Sequence, residues 1–332
     1  MPSGEGGDES FIGTCIMLAV DYLPISVATL LPAKTVGLDL FQREQDSGRY
    51  VLYRGATYPL TLDDLERLRG RGIHLLYIGK DSGPRYQAYL RRLLDTDLGA
   101  VDVAPQLQAG ALNEVVLDSL RSAFGSRDLN EAVATISQLG ALTAEIITRD
   151  EFAASDLFRV LHHDYATFTH STNVAFYAAM LAAGLGYSAE EVEQITTGGL
   201  LHDLGKLDID DRILSKPGRL DEWEFRQVKR HPGLGFRKLA KRTDLNEGQL
   251  LMVYQHHERM DGHGYPVGCV GSEIHPWAKI CAVVDVFEAL TSQRPYRKPL
   301  SRNKALEVLE REGSASFDLE VLECWKSIIL SA

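Results

Sequence analysis

Six of the ten histidines, His170, His202, His231, His256, His257 and His263, fall within one segment of fewer than a hundred residues. Any one of them alone reads as an ordinary structural or surface histidine. Their neighbours change that reading. His202 is followed directly by Asp203 in LLHDLGK, His256 and His257 are adjacent in YQHHERMDGHGYP, and Asp285 interrupts the apolar run AKICAVVDVFEAL. A carboxylate between Val284 and Val286 is expensive to bury unless a cation or hydrogen-bond donors surround it. Divalent metal ions offset that cost, and imidazole with carboxylate suits iron, manganese, cobalt or zinc. Five histidines and two aspartates exceed what one open metal site needs, so a metal pair with a bridging carboxylate fits better. Two metals about 3.5–4 Å apart hold a bridging hydroxide at neutral pH and clamp a phosphate for in-line displacement. Lys206, one turn after His202 and Asp203, is placed to meet a phosphate oxygen.

Ligands on five separate segments converge only if those segments are helices of one bundle, where metal sites on facing helices are commonly built. The pattern agrees from about Pro105 onward. Apolar residues at three- and four-residue spacing predict helices over 107–123 and 129–147, then 171–184, and 189–204 opened by Ser188 with Glu191 as a capping box. Further helices are expected at 221–241, 247–259, 276–292 and 302–312. The first hundred residues differ in texture. Short β-branched or aromatic runs at 25–31, 50–53 and 73–78 predict strands, with helices over 60–71, opened by Thr61, and from about 84 to 95.

The chain has 332 residues, with 35 Lys and Arg against 46 Asp and Glu, a formal net charge of −11. An acidic balance argues against long nucleic acid and against an anionic membrane as partners, since both call for a basic face. The apolar stretch 11–33 is broken by Asp21 and Pro24 and falls short of a membrane span. The opening MPSGEGGDES is acidic where a signal peptide is basic, and the four cysteines, Cys15, Cys269, Cys281 and Cys324, form no CxxC pair. A cytoplasmic protein without disulfides or thiolate zinc is the expectation.

Five ordered motifs, HSTNVA (170–175), HDLGK (202–206), KRHPGLG (229–235), HHERMDGHGYP (256–266) and DVFEALTSQRPYR (285–297), together resemble the HD-GYP family. That family is a subgroup of the HD metal-dependent phosphohydrolases. The likeness takes in ILSKPGRL (213–220) and runs from about residue 150 to SFDLEV (316–321), somewhat more than half the chain. The resemblance implies an α-helical domain that hydrolyses cyclic di-GMP at a binuclear or trinuclear metal centre. It implies His170, His202, Asp203 and Asp285 as ligands of one metal and His231, His256 and His257 as ligands of a second, with Asp203 bridging. It implies that Lys206 contacts the scissile phosphate and that Gly264, Tyr265 and Pro266 form the signature loop, with Tyr265 against the ligand. Arg294 and Arg297 are implied to reach phosphates or guanines, a contact for which Arg is independently suited. Two departures stand out. Ala166 occupies the place of a glutamate that ligates a third metal in trinuclear members, which favours two ions, with Asp164 or water left as support for a third. Glu288 stands where many members have aspartate; both are acidic, which implies a similar role supporting the ligands or the fold. His263 falls at a variable position of the loop and reads as solvent-facing. The first hundred residues resemble, more loosely, a small α+β domain that precedes some HD-GYP domains, from which no ligand follows.

The expected architecture is therefore multidomain: a small α+β N-terminal domain over 1–100, a helical linker over 101–148, and an all-α HD-type helical bundle over 149–332. The expected activity is metal-dependent hydrolysis of cyclic di-GMP to pGpG by a metal-bridging hydroxide, with iron or manganese as the ions; a second cleavage to GMP stays open, and Ala166 in place of the third-metal glutamate weighs against it. Two readings from other classes stay open: a module that binds cyclic di-GMP without cutting it, and a di-iron oxygenase on the same scaffold. A homodimer, and regulatory partners engaged through the N-terminal domain, are compatible with all three.

Overall fold

The computed structural model describes residues 22–32, 34–44, 47–94, 104–126, 128–149, 154–161, 167–293 and 298–332. The chain divides into two compact units, one ending at Tyr89 and the other running from Leu90 to Ala332.

The first unit is a small antiparallel sheet with helices. Its strands are β1 (Tyr22–Ser26), β2 (Leu40–Arg43), β3 (Tyr50–Arg54) and β4 (Leu75–Gly79), in the spatial order β1-β4-β2-β3. Ile25 pairs with Leu76 and Leu23 with Ile78, so the alternation puts Ile25, Leu76 and Ile78 on one buried face. Helix α1 (Leu62–Gly70) opens on a capping box in which Thr61 and Asp64 exchange hydrogen bonds. Asp64 also receives Arg54 at 2.5 Å and Arg67 at 2.6 Å, so its buried carboxylate is fully partnered. Helix α2 (Gly83–Leu94) is tied back by two hydroxyls, Tyr86 to Thr29 Oγ1 at 2.7 Å and Tyr89 to the Thr29 carbonyl at 2.9 Å. The run expected as one strand over 25–31 ends at Ser26, because the Ser26 side chain accepts the Ala28 N–H and turns the chain into a 3-10 segment. Strand β2, LFQR, contains no β-branched residue and so carries little strand signal in the sequence.

Among the described residues the second unit is built of helices: α3 (Pro105–Gly125), α4 (Leu129–Ile147), α5 (Ala154–Val160), α6 (Thr167–Gly184), α7 (Ala189–Leu201), α8 (Asp211–Leu214), α9 (Glu222–Val228), α10 (His231–Leu239), α11 (Glu247–Gln255), α12 (Pro276–Thr291), α13 (Arg302–Ser316) and α14 (Leu319–Ser331). Helices α6 and α7 lie at its centre, packed on each other and on α4, α11 and α12. Helices α3 and α4, expected as a linker, pack against α6 and α7 within this unit. Trp325 of α14 is fully buried, with ring centroids 5.3 Å from Tyr177 of α6 and 5.1 Å from Phe287 of α12. That aromatic cluster fixes the two helices that carry His170 and Asp285.

Several boundaries differ from the periodic pattern, each for a local reason. The helix expected over 221–241 is two helices. Asp221 and Glu224 cap α9, the chain turns at Lys229 and Arg230, and Pro232 restarts a helix in whose first turn no N–H is needed. Helix α7 stops at Leu201 and α11 at Gln255, each giving way to a histidine. Helix α13 runs past 312 to Ser316 through a kink at Gly313, where φ is 54°. Among the described residues no helix is long and apolar enough to cross a membrane.

Candidate metal centre

Three helices end on the same spot. His202 caps the C-terminus of α7 and His256 that of α11, while His231 begins α10 directly after the turn that closes α9. The last carbonyls of a helix have no intrahelical partner and carry the negative end of its dipole. Each ring takes one of them, three residues back. His202 Nδ1 donates to Gly199 O at 2.7 Å, His231 Nδ1 to Val228 O at 2.8 Å and His256 Nδ1 to Val253 O at 3.0 Å. A carbonyl only accepts, so the Nδ1 proton is fixed on all three rings. Their Nε2 lone pairs point inward, the arrangement expected of metal-binding imidazoles.

His170, in the first turn of α6, and Asp285, in α12, complete one side. His170 Nε2 lies 3.3 Å from His202 Nε2 and 3.1 Å from Asp285 Oδ1. On the other side His231 Nε2 lies 3.1 Å from His256 Nε2, and the His257 ring centroid stands 4.2 Å from that of His256. Asp203 sits between. Its Oδ2 is 3.4 Å from both His170 Nε2 and His202 Nε2, while its Oδ1 faces His231 Nε2 at 3.2 Å. Candidate ligand atoms fall within 4.8 Å of one another in three sets: His170, His202 and Asp285; His231, His256 and His257; and His202, Asp203 and His256.

This constellation fits divalent ions. Asp203 Oδ1 is buried with no hydrogen-bond donor, and the lone pairs of His231 and His256 face it and each other. Burial, and then the neighbouring rings, hold His256 neutral, its pKa well below the usual value. Burial likewise lowers His257 to about 3. Ring nitrogens that converge on one buried carboxylate oxygen are a set that a cation satisfies. Burial alone would raise the Asp203 carboxyl, but Lys206 and His202 outweigh it and keep the group ionised. Burial opposes a charge on His170 too, yet Glu288 and Asp285 prevail and raise it to about 10. A proton on that ring's Nε2 would be displaced by a metal.

The supporting contacts were less visible in the sequence. Glu288 Oε2 lies 2.5 Å from His170 Nδ1, and the same carboxylate receives Asn173 Nδ2 at 3.2 Å and the Ser292 hydroxyl. Glu288→Gln keeps the shape and removes the charge that orients and polarises the ring. It is expected to weaken metal binding about 10–100-fold, measured by competition with a chromophoric chelator. Glu258, inside the HHERMDGHGYP motif, accepts the N–H groups of Val267, Gly268 and Cys269 and so anchors the loop. Gly264 is required there, since a Cβ would come within 2.4 Å of the Glu258 Cα. Tyr265, joined to Pro266 by a cis peptide bond, lies against His257 with ring centroids 4.7 Å apart and planes tilted by 31°. Lys229 Nζ stands 5.0 Å from the Tyr265 ring and 4.9 Å from Phe225, a pair of cation–π contacts.

The centre opens into a cavity of about 620 Å³. His170, His231, His257 and Asp285 form its floor, and Lys206, Lys216, Arg219 and Tyr265 lie around it. Lys206 Nζ is 2.5 Å from Asp203 Oδ2. Lys216 and Arg219 belong to the ILSKPGRL stretch, whose charges had no assigned part in the sequence reading. The structure thus gathers His170, His202, Asp203, Lys206, His231, His256, His257, Tyr265 and Asp285 in one place. His263 is 84% exposed at its side chain and stands apart. Arg294 and Arg297, and the positions Asp164 and Ala166 that bear on a third ion, lie outside the described residues.

A family model described as HD domain matches residues 151–321. The chain is 38% identical over 189 residues to the cyclic di-GMP phosphodiesterase response regulator RpfG of Xanthomonas campestris pv. campestris, covering 56% of this chain and 50% of that protein. It is 36% identical over 160 residues to the 3′3′-cGAMP-specific phosphodiesterase 3 of Vibrio cholerae, covering 48% of this chain and 35% of that protein. The chain thus spans half or less of the length of these relatives. Among solved structures, Bd1817, a HDG"Y"P protein from Bdellovibrio bacteriovorus, shares the fold with a TM-score of 0.68 at 19% identity, over 94% of this chain and 100% of that one.

Proposed function

The chain belongs to the HD domain family, and from that premise we propose that it is a metal-dependent phosphodiesterase that opens cyclic di-GMP to linear pGpG. The observation that carries this reading is Asp203, a buried carboxylate with one oxygen toward His170 and His202 and the other toward His231. In this reading His170, His202 and Asp285 hold one divalent ion, His231, His256 and His257 hold a second, and Asp203 serves both. Two ions so held supply a nucleophile from water at neutral pH and polarise the phosphoryl oxygens of an in-line displacement.

The remaining work falls to the chain itself. Lys206, half-buried beside Asp203, meets the charge that grows on the phosphoryl oxygens in the transition state. Arg219 faces the same cavity and suits the second phosphate of a cyclic dinucleotide; Lys216 beside it is held by Glu224 at 2.5 Å. The largely apolar wall, with Ile213, Leu214 and Leu290, covers the ring system and keeps bulk water from the reacting phosphate. The nitrogen and oxygen ligand set admits iron, manganese, cobalt or zinc; iron or manganese is the proposed pair, and a single cleavage to pGpG is the expected extent of reaction. The first unit is proposed as a separate regulatory or dimerising domain.

The test is metal analysis and product chromatography on one sample of the full chain. Stripping with a chelator is expected to end hydrolysis, and Mn(II) or anaerobic Fe(II) to restore it, with pGpG as the first peak. Nucleotide binding without product at every metal loading would instead make the chain a receptor for cyclic di-GMP. Oxygen uptake coupled to turnover would move it to the oxygenases.

A further inference from the structure

Between Phe225 and Thr243 the chain carries seven Lys and Arg and no Asp or Glu, within a protein of net charge −11. Two of the seven are neutralised, Lys238 by Asp208 at 2.8 Å and Arg242 by Asp244 at 2.5 Å. Four of the others, Arg226, Lys229, Arg230 and Arg237, line a second cavity of about 640 Å³ on α9 and α10. Arg226 pairs with exposed Glu222 at 3.6 Å, a surface contact of little worth. Arg230 donates to the neutral amide of Gln227 at 2.8 Å. Among the described residues Lys229, Arg230 and Arg237 have no carboxylate partner. Holding four cations around one hollow is unfavourable unless an anion joins them.

The same hollow is lined by rings. Phe236 and Tyr254 lie with centroids 5.0 Å apart, and Tyr265 closes the far wall together with Pro266. Tyr265 lines the metal cavity as well, so the two cavities adjoin at this residue. A concave site that combines several arginines with aromatic faces matches a phosphate carried on a planar base. Guanidinium groups favour a terminal phosphate monoester over a diester, because the monoester carries a second charge and a third accepting oxygen.

We infer that this cavity is a second binding site, independent of the metals, for the terminal phosphate and base of a 5′-nucleotide. The ligand has two sources, the linear dinucleotide that hydrolysis would release and free mononucleotides. The site stands on its own geometry, apart from any turnover at the metal pair.

The experiment is calorimetric titration of the full chain, stripped of metal, with GMP, pGpG and guanosine at low salt. GMP and pGpG are expected to bind, and guanosine at least tenfold more weakly. The double variant Arg230→Glu, Arg237→Glu is expected to weaken GMP at least tenfold, and Tyr254→Ala several-fold. Both arginines are exposed, and circular dichroism checks the fold; should charge reversal unfold the chain, Arg230→Gln with Arg237→Gln asks the same question. Tighter binding of pGpG than of GMP assigns the site to the reaction's own product, and equal binding assigns it to mononucleotides. GMP affinity unchanged in the arginine variants, or guanosine binding as well as GMP, overturns the proposal. A metal-loaded chain that forms no product would overturn the phosphodiesterase reading alone, because every titration here is made without metal.

Discussion

Asp203→Asn is expected to end hydrolysis of cyclic di-GMP and to empty both metal positions together. The substitution alters one atom's chemistry and almost nothing of its shape. In the native side chain Oδ2 faces His170 and His202 at 3.4 Å and Oδ1 faces His231 at 3.2 Å. An amide has one accepting oxygen and one NH₂, and the NH₂ cannot ligate a cation. Whichever way the amide turns, one set of imidazoles loses its shared oxygen and meets N–H groups instead. The loss in kcat is expected to be at least about a thousandfold, the scale seen when one member of an interdependent site is removed. Metal per chain should fall in the same sample. Thermal unfolding adds a readout that does not depend on activity. Ions that bind only the folded state raise its melting temperature, so native protein should melt higher when loaded than when stripped, and the variant should show no such difference. His263→Ala, in an exposed loop position away from the ligands, should keep activity within about twofold. An Asn variant that retains its metals and its turnover would sink the bridging assignment.

Much of this site was legible because its chemistry is written in types that are costly to bury. A His-Asp pair, a His-His pair and an aspartate between valines need a shared cation, and only a helical bundle brings five such segments together. The contacts that aim the rings were harder to read, since their partners are main-chain atoms. Gly199, Val228 and Val253 contribute only carbonyls, and any residue has one. Their common signal is position: each lies three residues before a ligand, in the last turn of a helix. That signal appears only once the helix ends are known, and apolar periodicity does not mark helix ends. Periodicity ran α9 and α10 together across Lys229 and Arg230, and extended α11 past His256. With the break unmarked, the pattern does not show that His231 is placed by a helix terminus. Glu288 stood within a recognisable motif, but its contact with His170 spans 118 positions of sequence. The basic lining of the second cavity escaped for the opposite reason. A net charge of −11 averages over the whole chain and conceals a segment without a single carboxylate.

Gly205→Ala is expected to be nearly as damaging as the loss of a ligand, although glycine carries no chemistry. Gly205 lies between Asp203 and Lys206 in the 3-10 segment Leu204–Asp208, which packs directly on α10. A Cβ there would stand 2.0 Å from the His231 carbonyl oxygen and 2.6 Å from the Gly235 amide nitrogen. Both are backbone atoms, so no side-chain rotation relieves the clash. The segment or the helix must move, and with it either Asp203 and Lys206 or His231. Overpacking a tight contact commonly costs about 1–3 kcal/mol, and rigid backbone on both sides places this one at the upper end or above. The variant should melt well below the native chain, bind metal weakly even where it remains folded, and lose most of its hydrolysis. Gly70→Ala supplies the contrast. Gly70 ends helix α1 with nothing within 4 Å of the added carbon, so its effect should stay within about 1 kcal/mol, the range of glycine-to-alanine changes at compatible sites. Equal melting of the Gly205 and Gly70 variants would show that the HDLGK segment does not depend on close packing against His231.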